Sequence, residues 1–295
     1  MFKGSIVALV TPMHEDGSLD KKALEALVEW HIQCKTDAIV VAGTTGESAT
    51  LDPDEHFTTI STVVKQAAGR IPIIAGAGTN ATQTTIMLAH HAYHAKADAC
   101  LIVTPYYNKP TQAGLYQHYR TIAEKTALPI ILYNVPSRTG CDLLPETVAK
   151  LSQLKQIIGI KEATGKLDRA QALSICCEKN FAIYSGDDAT ALDLLLQQAK
   201  GVISVTANVA PDKMHALYQA AYSGNHAIAK KIDNELQLLH TRLFIESNPI
   251  PTKWALQIMG KIKGGIRLPL LSLDKQYHHA VKEALQKAGI AHDIK

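Results

Sequence analysis

The strongest constraint on the fold of this chain is a regular alternation of short apolar runs with amphipathic segments. Between residues 5 and 222 we count eight apolar runs of strand length, and each is followed by a segment with helical periodicity. Eight parallel strands, each followed by a helix, is the number that closes a barrel, and such barrels typically need about 250 residues. The pattern therefore predicts a (β/α)8 TIM barrel of the α/β class, and an open doubly wound sheet remains the structural alternative.

The predicted elements are short and evenly spaced. The predicted strands cover residues 5–10, 38–41, 71–75, 99–103, 129–133, 157–161, 181–184 and 202–205. The helices that follow them cover residues 21–34, 53–67, 82–94, 112–126, 145–151, 167–176, 188–197 and 211–222. After Gly224 the alternation stops, and helices are predicted at 226–244, 251–259 and 273–287. We therefore divide the chain into a barrel domain, 1–224, and a small C-terminal helical domain, 225–295.

Composition and charge exclude several classes of function. The net charge is only +3, from 30 Lys+Arg against 27 Asp+Glu, and the basic residues form no run, so we expect no nucleic-acid partner. No apolar run approaches the ~18 residues of a membrane helix, and we expect neither a secretion signal nor a membrane partner. The five cysteines are odd in number and lack zinc-site spacing, which favours a reducing, cytoplasmic location.

One predicted strand ends in a lysine. Residues 157–160 form an apolar run that ends at Lys161, and a polar turn follows. A lysine is almost never fully buried unless it is paired or functional, and the carboxyl ends of barrel strands are where active sites form. Burial disfavours the charged ammonium form, and a neutral amine can attack a carbonyl to form a Schiff base. The alternative is an ion pair with Glu162 or another carboxylate at the strand end.

The segments that follow the other predicted strands collect small, polar and aromatic residues. The segments richest in them are 43–48, 76–80, 104–110, 133–140 and 185–188. They supply hydroxyl donors, and their small residues let a ligand come close to the backbone. They also supply one guanidinium, Arg138, whose planar fork suits a carboxylate. A tyrosine close to a Schiff-base lysine can relay a proton. Together these residues indicate a lysine-dependent aldolase that acts on an acidic keto compound.

Three motifs in these segments resemble those of a known family. The segments 43–47 (GTTGE), 133–140 (YNVPSRTG) and 159–163 (GIKEA) are similar to the signatures of the dihydrodipicolinate synthase family. That family lies within a wider group of pyruvate-dependent class I aldolases and lyases, which includes N-acetylneuraminate lyase. The resemblance extends over essentially the whole chain, including 203–208 and 248–251. Arg138 within the segment 133–140 is more specific than the other motifs, because it marks the synthase branch of this wider group.

The resemblance implies a catalytic set of four residues. Lys161 would form the Schiff base with pyruvate, and Tyr133 would relay protons to it. Thr44 would link Tyr133 to Tyr107, which in this family reaches in from a neighbouring subunit. The resemblance thus implies a homotetramer built as two tight dimers.

The resemblance also implies how the substrates are held. Thr45 and backbone amides would bind the pyruvate carboxylate, and Arg138 would bind the carboxylate of L-aspartate-4-semialdehyde. Gly186 and Ile203 would flank the pocket. The product would be 4-hydroxy-tetrahydrodipicolinate, an intermediate of diaminopimelate and lysine biosynthesis. We expect neither a metal nor a dissociable cofactor, because the lysine supplies the covalent chemistry.

A regulatory site is the point at which the chain departs from the family pattern. Feedback-inhibited bacterial members bind free lysine in a cleft, and the residues that match it here are Ser48, Ala49, His56, Asn80 and Tyr106. Pro53 stands where those members often carry His, and Thr84 where strongly sensitive members carry Glu. Threonine has no negative charge to pair with the ammonium of lysine. The sequence therefore predicts weak or absent lysine inhibition.

Two other functions remain open on the sequence alone. The first is a related aldolase or lyase that keeps Lys161 but uses another aldehyde; Arg138 argues against a sugar substrate. The second is a catalytically silent homologue that binds keto acids. The intact set of Lys161, Tyr133, Thr44 and Tyr107 argues against that, because a silent homologue usually loses at least one such residue.

Overall fold

The computed structural model describes residues 2–290 and shows a closed parallel barrel with strand order β1 to β8. The strands are β1 Gly4–Ala8, β2 Ala38–Val41, β3 Ile73–Gly76, β4 Ala99–Val103, β5 Ile130–Asn134, β6 Ile157–Glu162, β7 Ala182–Ser185 and β8 Gly201–Ser204. The first and last strands pair in parallel, with Ile6 beside Ile203. This closure confirms the predicted (β/α)8 barrel and excludes the open doubly wound sheet.

Helices surround the barrel and continue beyond it. The barrel helices are α1 Lys21–Gln33, α2 Pro53–Ala67, α3 Thr82–His94, α4 Gln112–Lys125, α5 Pro136–Thr139, α6 Pro145–Ser152, α7 Leu167–Cys176, α8 Ala191–Leu196 and α9 Pro211–Tyr222. The C-terminal helices are α10 His226–Arg242, α11 Ile250–Ile258 and α12 His278–Lys287. Short 3-10 turns cover Ser48–Thr50, Thr206–Asn208 and Lys275–Tyr277. The single turn α5 lies inside a segment predicted as a loop.

Most predicted elements match to within a few residues. The helix predicted at 273–287 begins only at His278, because a separate 3-10 turn covers Lys275–Tyr277. The helix predicted to start at residue 188 starts at Ala191. Asp188 does not cap it, because its carboxylate accepts hydrogen bonds from the backbone N–H groups of Val205 and Thr206, both at 2.9 Å. A capping box begins α2: Asp52 accepts from the Glu55 N–H at 2.8 Å, and the Glu55 carboxylate accepts from the Asp52 N–H at 3.2 Å.

The barrel interior is packed with side chains from alternating strand positions. The interior residues are Ile6, Ala8, Ala38, Val40, Ile74, Ala99, Leu101, Ile131, Tyr133, Val135, Ala182, Tyr184 and Ile203. The Tyr184 hydroxyl donates to the carbonyl of Phe2 at 2.8 Å, which ties the N-terminal segment to the amino end of the barrel. A filled interior leaves the carboxyl ends of the strands as the place where polar side chains gather.

The C-terminal helices share the apolar layer outside the barrel. Leu236 and Leu239 of α10 and Leu285 of α12 are fully buried, in the same cluster as Leu217 of α9. The predicted boundary at residue 224 stays a prediction, and the predicted domain extends past the last described residue. No helix within residues 2–290 is both long enough and apolar enough to cross a membrane.

Candidate active site

Lys161 lies inside the barrel mouth against an aromatic ring. It is the fifth residue of β6, and the pairing of β5 with β6 sets Tyr133 beside it. Lys161 is 5% exposed, and its Nζ lies 4.4 Å from the centroid of the Tyr133 ring. None of the ion pairs found within residues 2–290 involves Lys161. A buried amine without a carboxylate partner has the surroundings of a nucleophile.

The neighbouring carboxylate does not pair with this amine. Successive strand residues point to opposite faces, so Glu162 faces away from Lys161. Its carboxylate accepts from Asn134 Nδ2 at 3.1 Å and from the Thr164 N–H at 2.8 Å. Burial raises the pKa of Glu162, and these hydrogen bonds oppose that rise. The ion-pair alternative for Lys161 and Glu162 is therefore not formed.

Gly186 borders the lysine stem, and Ile203 lies in the barrel interior. A Cβ at Gly186 would lie 3.0 Å from Lys161 Cε and 2.7 Å from Ala163 Cβ, so only glycine leaves the lysine stem its space. The Gly186 N–H donates to the Glu162 carbonyl at 2.7 Å, which fixes the loop after β7. Ile203 is 1% exposed and belongs to the same interior cluster as Tyr133. The structure thus brings four of the predicted site residues together.

The loop after β2 supplies two hydroxyl groups. Thr44 is partly exposed and lines a cavity, whereas Thr45 is 2% exposed. Asn248 Nδ2 donates to Thr45 Oγ1 at 2.9 Å. Sequence reasoning did not assign Asn248 a role, although the segment 248–251 contributed to the family resemblance.

A buried ion pair fixes the same loop to α11. Glu47 adopts the left-handed conformation, with a φ of 56°, and its carboxylate contacts Lys253 Nζ at 2.5 Å. The other carboxylate oxygen accepts from the Arg267 N–H at 3.2 Å. Burial lowers the pKa of Lys253, although the adjacent Glu47 carboxylate acts in the opposite direction. This contact joins α11 to the loop after β2, and removing one partner typically costs about 3–5 kcal/mol because an unpaired charge is left buried.

Arg138 and Tyr107 lie at the rim, on loops joined by hydrogen bonds. Arg138 is exposed on the one-turn helix α5. Thr104 Oγ1 donates to Thr139 Oγ1 at 3.2 Å, and the Thr139 hydroxyl donates to the Cys141 carbonyl at 2.9 Å. The Tyr107 N–H donates to the Thr139 carbonyl at 3.2 Å. These contacts hold the two loops in a fixed relation at the entrance.

Tyr107 itself is not packed against the lysine within one chain. It is 89% exposed and has a φ of 73°, a conformation that costs energy for a residue with a side chain. The structure therefore places Tyr133 and Gly186 beside Lys161, with Ile203 in the same interior cluster as Tyr133, and leaves Tyr107 exposed.

A cavity of about 370 Å³ opens beside this site. Its lining includes Thr44 and Arg138, together with four of the residues predicted for a lysine cleft: Ser48, Ala49, His56 and Tyr106. Asn80 is not in the lining; its carbonyl accepts from Asn108 Nδ2 at 2.8 Å. Of the described residues that line the cavity, Glu47 is the only acidic one, and it is already engaged by Lys253.

His56 is a buried residue of this cavity wall. Its Nε2 donates to the Gly76 carbonyl at 2.6 Å, and burial lowers its pKa. Thr84 is exposed on α3, and Pro53 is the first residue of α2. Within the described part of the chain, no group of three or more histidine, cysteine or acidic side chains is arranged to hold a metal ion.

Comparison with known proteins points to one family. A family model described as the dihydrodipicolinate synthetase family matches residues 1–288. The 4-hydroxy-tetrahydrodipicolinate synthase of Methylococcus capsulatus is 58% identical over 290 residues, which are 98% of this chain and 100% of that protein. These matches span both the barrel and the C-terminal helices.

Solved structures show the same similarity. The chloride-inhibited dihydrodipicolinate synthase of Acinetobacter baumannii, complexed with pyruvate, is 52% identical, with a TM-score of 0.97 and coverage of 99% of this chain and 100% of that one. The Cyanidioschyzon merolae enzyme with lysine bound is 37% identical, with a TM-score of 0.95 and coverage of 98% and 99%.

Proposed function

The chain belongs to the dihydrodipicolinate synthetase family, and from this premise we infer that it condenses pyruvate with L-aspartate-4-semialdehyde to give 4-hydroxy-tetrahydrodipicolinate. It is a pyruvate-dependent lyase whose product leads to diaminopimelate and lysine. The observation that carries the residue assignment is the Lys161 amine, which is buried, free of any ion pair within residues 2–290, and set against the ring of Tyr133.

We assign the covalent chemistry to Lys161. Its neutral amine attacks the keto carbon of pyruvate, and loss of water gives an imine. The imine withdraws electrons from the adjacent methyl group, which loses a proton to become an enamine carbon nucleophile. That carbon forms the new bond to the aldehyde carbon of the second substrate. The amino group of that substrate then attacks the imine carbon, which closes the ring and releases Lys161.

Two carboxylates must be held for this sequence to proceed. Thr45, buried in the loop after β2, binds the pyruvate carboxylate, while Gly186 and Ile203 shape the space around the imine. Arg138 stands exposed on α5 at the cavity, where its fork can receive the carboxylate of L-aspartate-4-semialdehyde. This division explains why an arginine lies at the rim whereas the lysine lies inside.

Proton transfer uses Tyr133, Thr44 and a Tyr107 from a neighbouring subunit. The support for the last assignment is that Tyr107 is 89% exposed in a conformation that costs energy, as expected of a side chain positioned for a partner. A homotetramer of two tight dimers would supply that partner. Sedimentation and activity measured across a dilution series test it, and a fully active monomer would contradict it.

Lysine is expected to inhibit weakly or not at all. The support is the cavity lining, in which Glu47 is the only acidic side chain among the described residues and is paired with Lys253, while Thr84 offers no charge. The test is activity against millimolar lysine for the wild type and for Thr84→Glu. We expect the wild type to stay active and the variant to gain sensitivity; strong inhibition of the wild type would refute the proposal.

The deciding experiment for the function is borohydride trapping with pyruvate, followed by intact mass and peptide mapping. We expect a pyruvate-derived adduct on Lys161 and turnover when L-aspartate-4-semialdehyde is added. An adduct without that turnover would favour a related aldolase with another aldehyde. A folded protein without any adduct would favour a silent keto-acid-binding homologue.

A further inference from the structure

We propose that Asn248, which precedes α11, is a positioning residue that directs the Thr45 hydroxyl proton toward the carboxylate of the bound keto acid. This proposal rests on the function inferred above. It gives the C-terminal helical part a direct role at the site, beyond packing on the barrel.

The contact between the two side chains is buried and specific. Asn248 Nδ2 donates to Thr45 Oγ1 at 2.9 Å, across 203 positions of sequence. Asn248 is 5% exposed and Thr45 is 2% exposed, so little water competes for this bond. Asn248 Oδ1 is buried and has no hydrogen-bond partner within residues 2–290, so Thr45 is the only side chain that the amide engages there.

The direction of this hydrogen bond determines what the hydroxyl can do next. A hydroxyl has one proton to donate and two lone pairs that accept. Because the amide N–H occupies a lone pair of Thr45, the hydroxyl proton is left for another acceptor. An ionised carboxylate is an acceptor only, so the keto acid is the complementary ligand. A donor that is already aimed needs no reorientation when the substrate arrives.

The segment that carries Asn248 is itself firmly held. Lys253, on α11, contacts the carboxylate of Glu47, two residues after Thr45. The Arg267 guanidinium donates to the Thr50 carbonyl at 2.6 Å and pairs with Glu55. The amide and the hydroxyl therefore belong to one clamped unit, which is what a positioning contact requires.

The test compares Asn248→Asp and Asn248→Ala with a matched control, Thr252→Val. Thr252 is fully buried on α11, shortly after Asn248, and its hydroxyl has no hydrogen-bond partner among the described residues, so valine keeps the shape and removes no hydrogen bond. Near neutral pH the introduced carboxylate can only accept, so it draws the Thr45 proton away from the substrate. We expect kcat/KM for pyruvate to fall at least about tenfold in Asn248→Asp and less in Asn248→Ala.

Two further readouts separate positioning from a structural defect. The kcat/KM for L-aspartate-4-semialdehyde should change less than about threefold, because Arg138 holds that substrate. The loss in Asn248→Asp should recover as the pH is lowered, because the protonated carboxyl again donates to Thr45. In a double-mutant cycle, Asn248→Asp should add little to the pyruvate defect of Thr45→Val.

Several outcomes would overturn the proposal. An unchanged kcat/KM for pyruvate in Asn248→Asp would mean that the Thr45 proton is not used. Equal losses for both substrates, without recovery at low pH, would mean a structural role only. If wild-type protein trapped no pyruvate with borohydride, the proposed function would fail and this inference with it. If the wild-type protein did trap pyruvate but the variants gave either of the two results above, only this inference would be overturned.

Discussion

The inner and outer halves of the active site are built differently. Lys161, Tyr133 and Ile203 are 5%, 7% and 1% exposed, and strand pairing sets their positions. Arg138 and Tyr107 are exposed on loops after β5 and β4, and side-chain hydrogen bonds through Thr139 set theirs. On this difference we base the proposal that the inner half forms the imine, whereas choice of the aldehyde and proton exit depend on the rim.

The largest effect should come from replacing the inner lysine. Lys161→Met keeps the length of the side chain but removes the amine, so kcat/KM should fall at least about 1,000-fold, and borohydride should trap no pyruvate. Because the buried amine has no ion pair within the described residues, we expect no loss of thermal stability. Lys166→Met, at an exposed position five residues on, is the control. Residual trapping in Lys161→Met would show that another amine forms the imine.

At the rim, Arg138→Ala should separate the two substrates. Losing a charge-assisted fork costs about 2–3 kcal/mol, so kcat/KM for L-aspartate-4-semialdehyde should fall roughly 30- to 150-fold. Pyruvate trapping should be unchanged, because the imine forms in the inner half. Arg138→Lys, which keeps the charge without the fork, should lie in between. Arg120→Ala, at an exposed arginine of α4, is the control. A parallel loss of pyruvate trapping would break the division between the two halves.

The contrast between these halves also shows what the sequence could predict. The strand that carries Lys161 has a local signal, an apolar run followed by a lysine, and barrel closure follows from counting such runs. The contact of Asn248 with Thr45 joins residues 203 positions apart, and that of Lys253 with Glu47 joins residues 206 apart. Neither pair has a local pattern. The same holds for Asp188, whose carboxylate accepts hydrogen bonds from backbone groups just after β8 and does not cap α8.

Tyr107→Phe should have a smaller effect, and it tests which subunit supplies the tyrosine at the rim. Loss of one relay hydrogen bond is worth about 1 kcal/mol, so kcat should fall about five- to tenfold while pyruvate trapping persists. Tyr93→Phe, a half-exposed tyrosine on α3, is the control. Mixed oligomers of Lys161→Met and Tyr107→Phe subunits should exceed the average activity of the two parents, because one subunit supplies the lysine and its partner the tyrosine. If the mixed oligomers were no more active than that average, Tyr107 would either act in the site of its own chain or take no part in proton transfer.

The smallest effect should come from the residue next to the lysine. Glu162 faces away from the barrel interior and accepts hydrogen bonds from Asn134 and Thr164, so Glu162→Gln removes the charge but leaves an oxygen to accept. Activity and pyruvate trapping should stay within about threefold of wild type, while unfolding should become easier by about 1 kcal/mol through the weakened hydrogen bonds. The measurements are trapping yield and denaturant unfolding on one protein sample. A loss of trapping as large as that of Lys161→Met would mean that the Glu162 carboxylate acts on the amine, and that the inner half is not defined by the interior face alone.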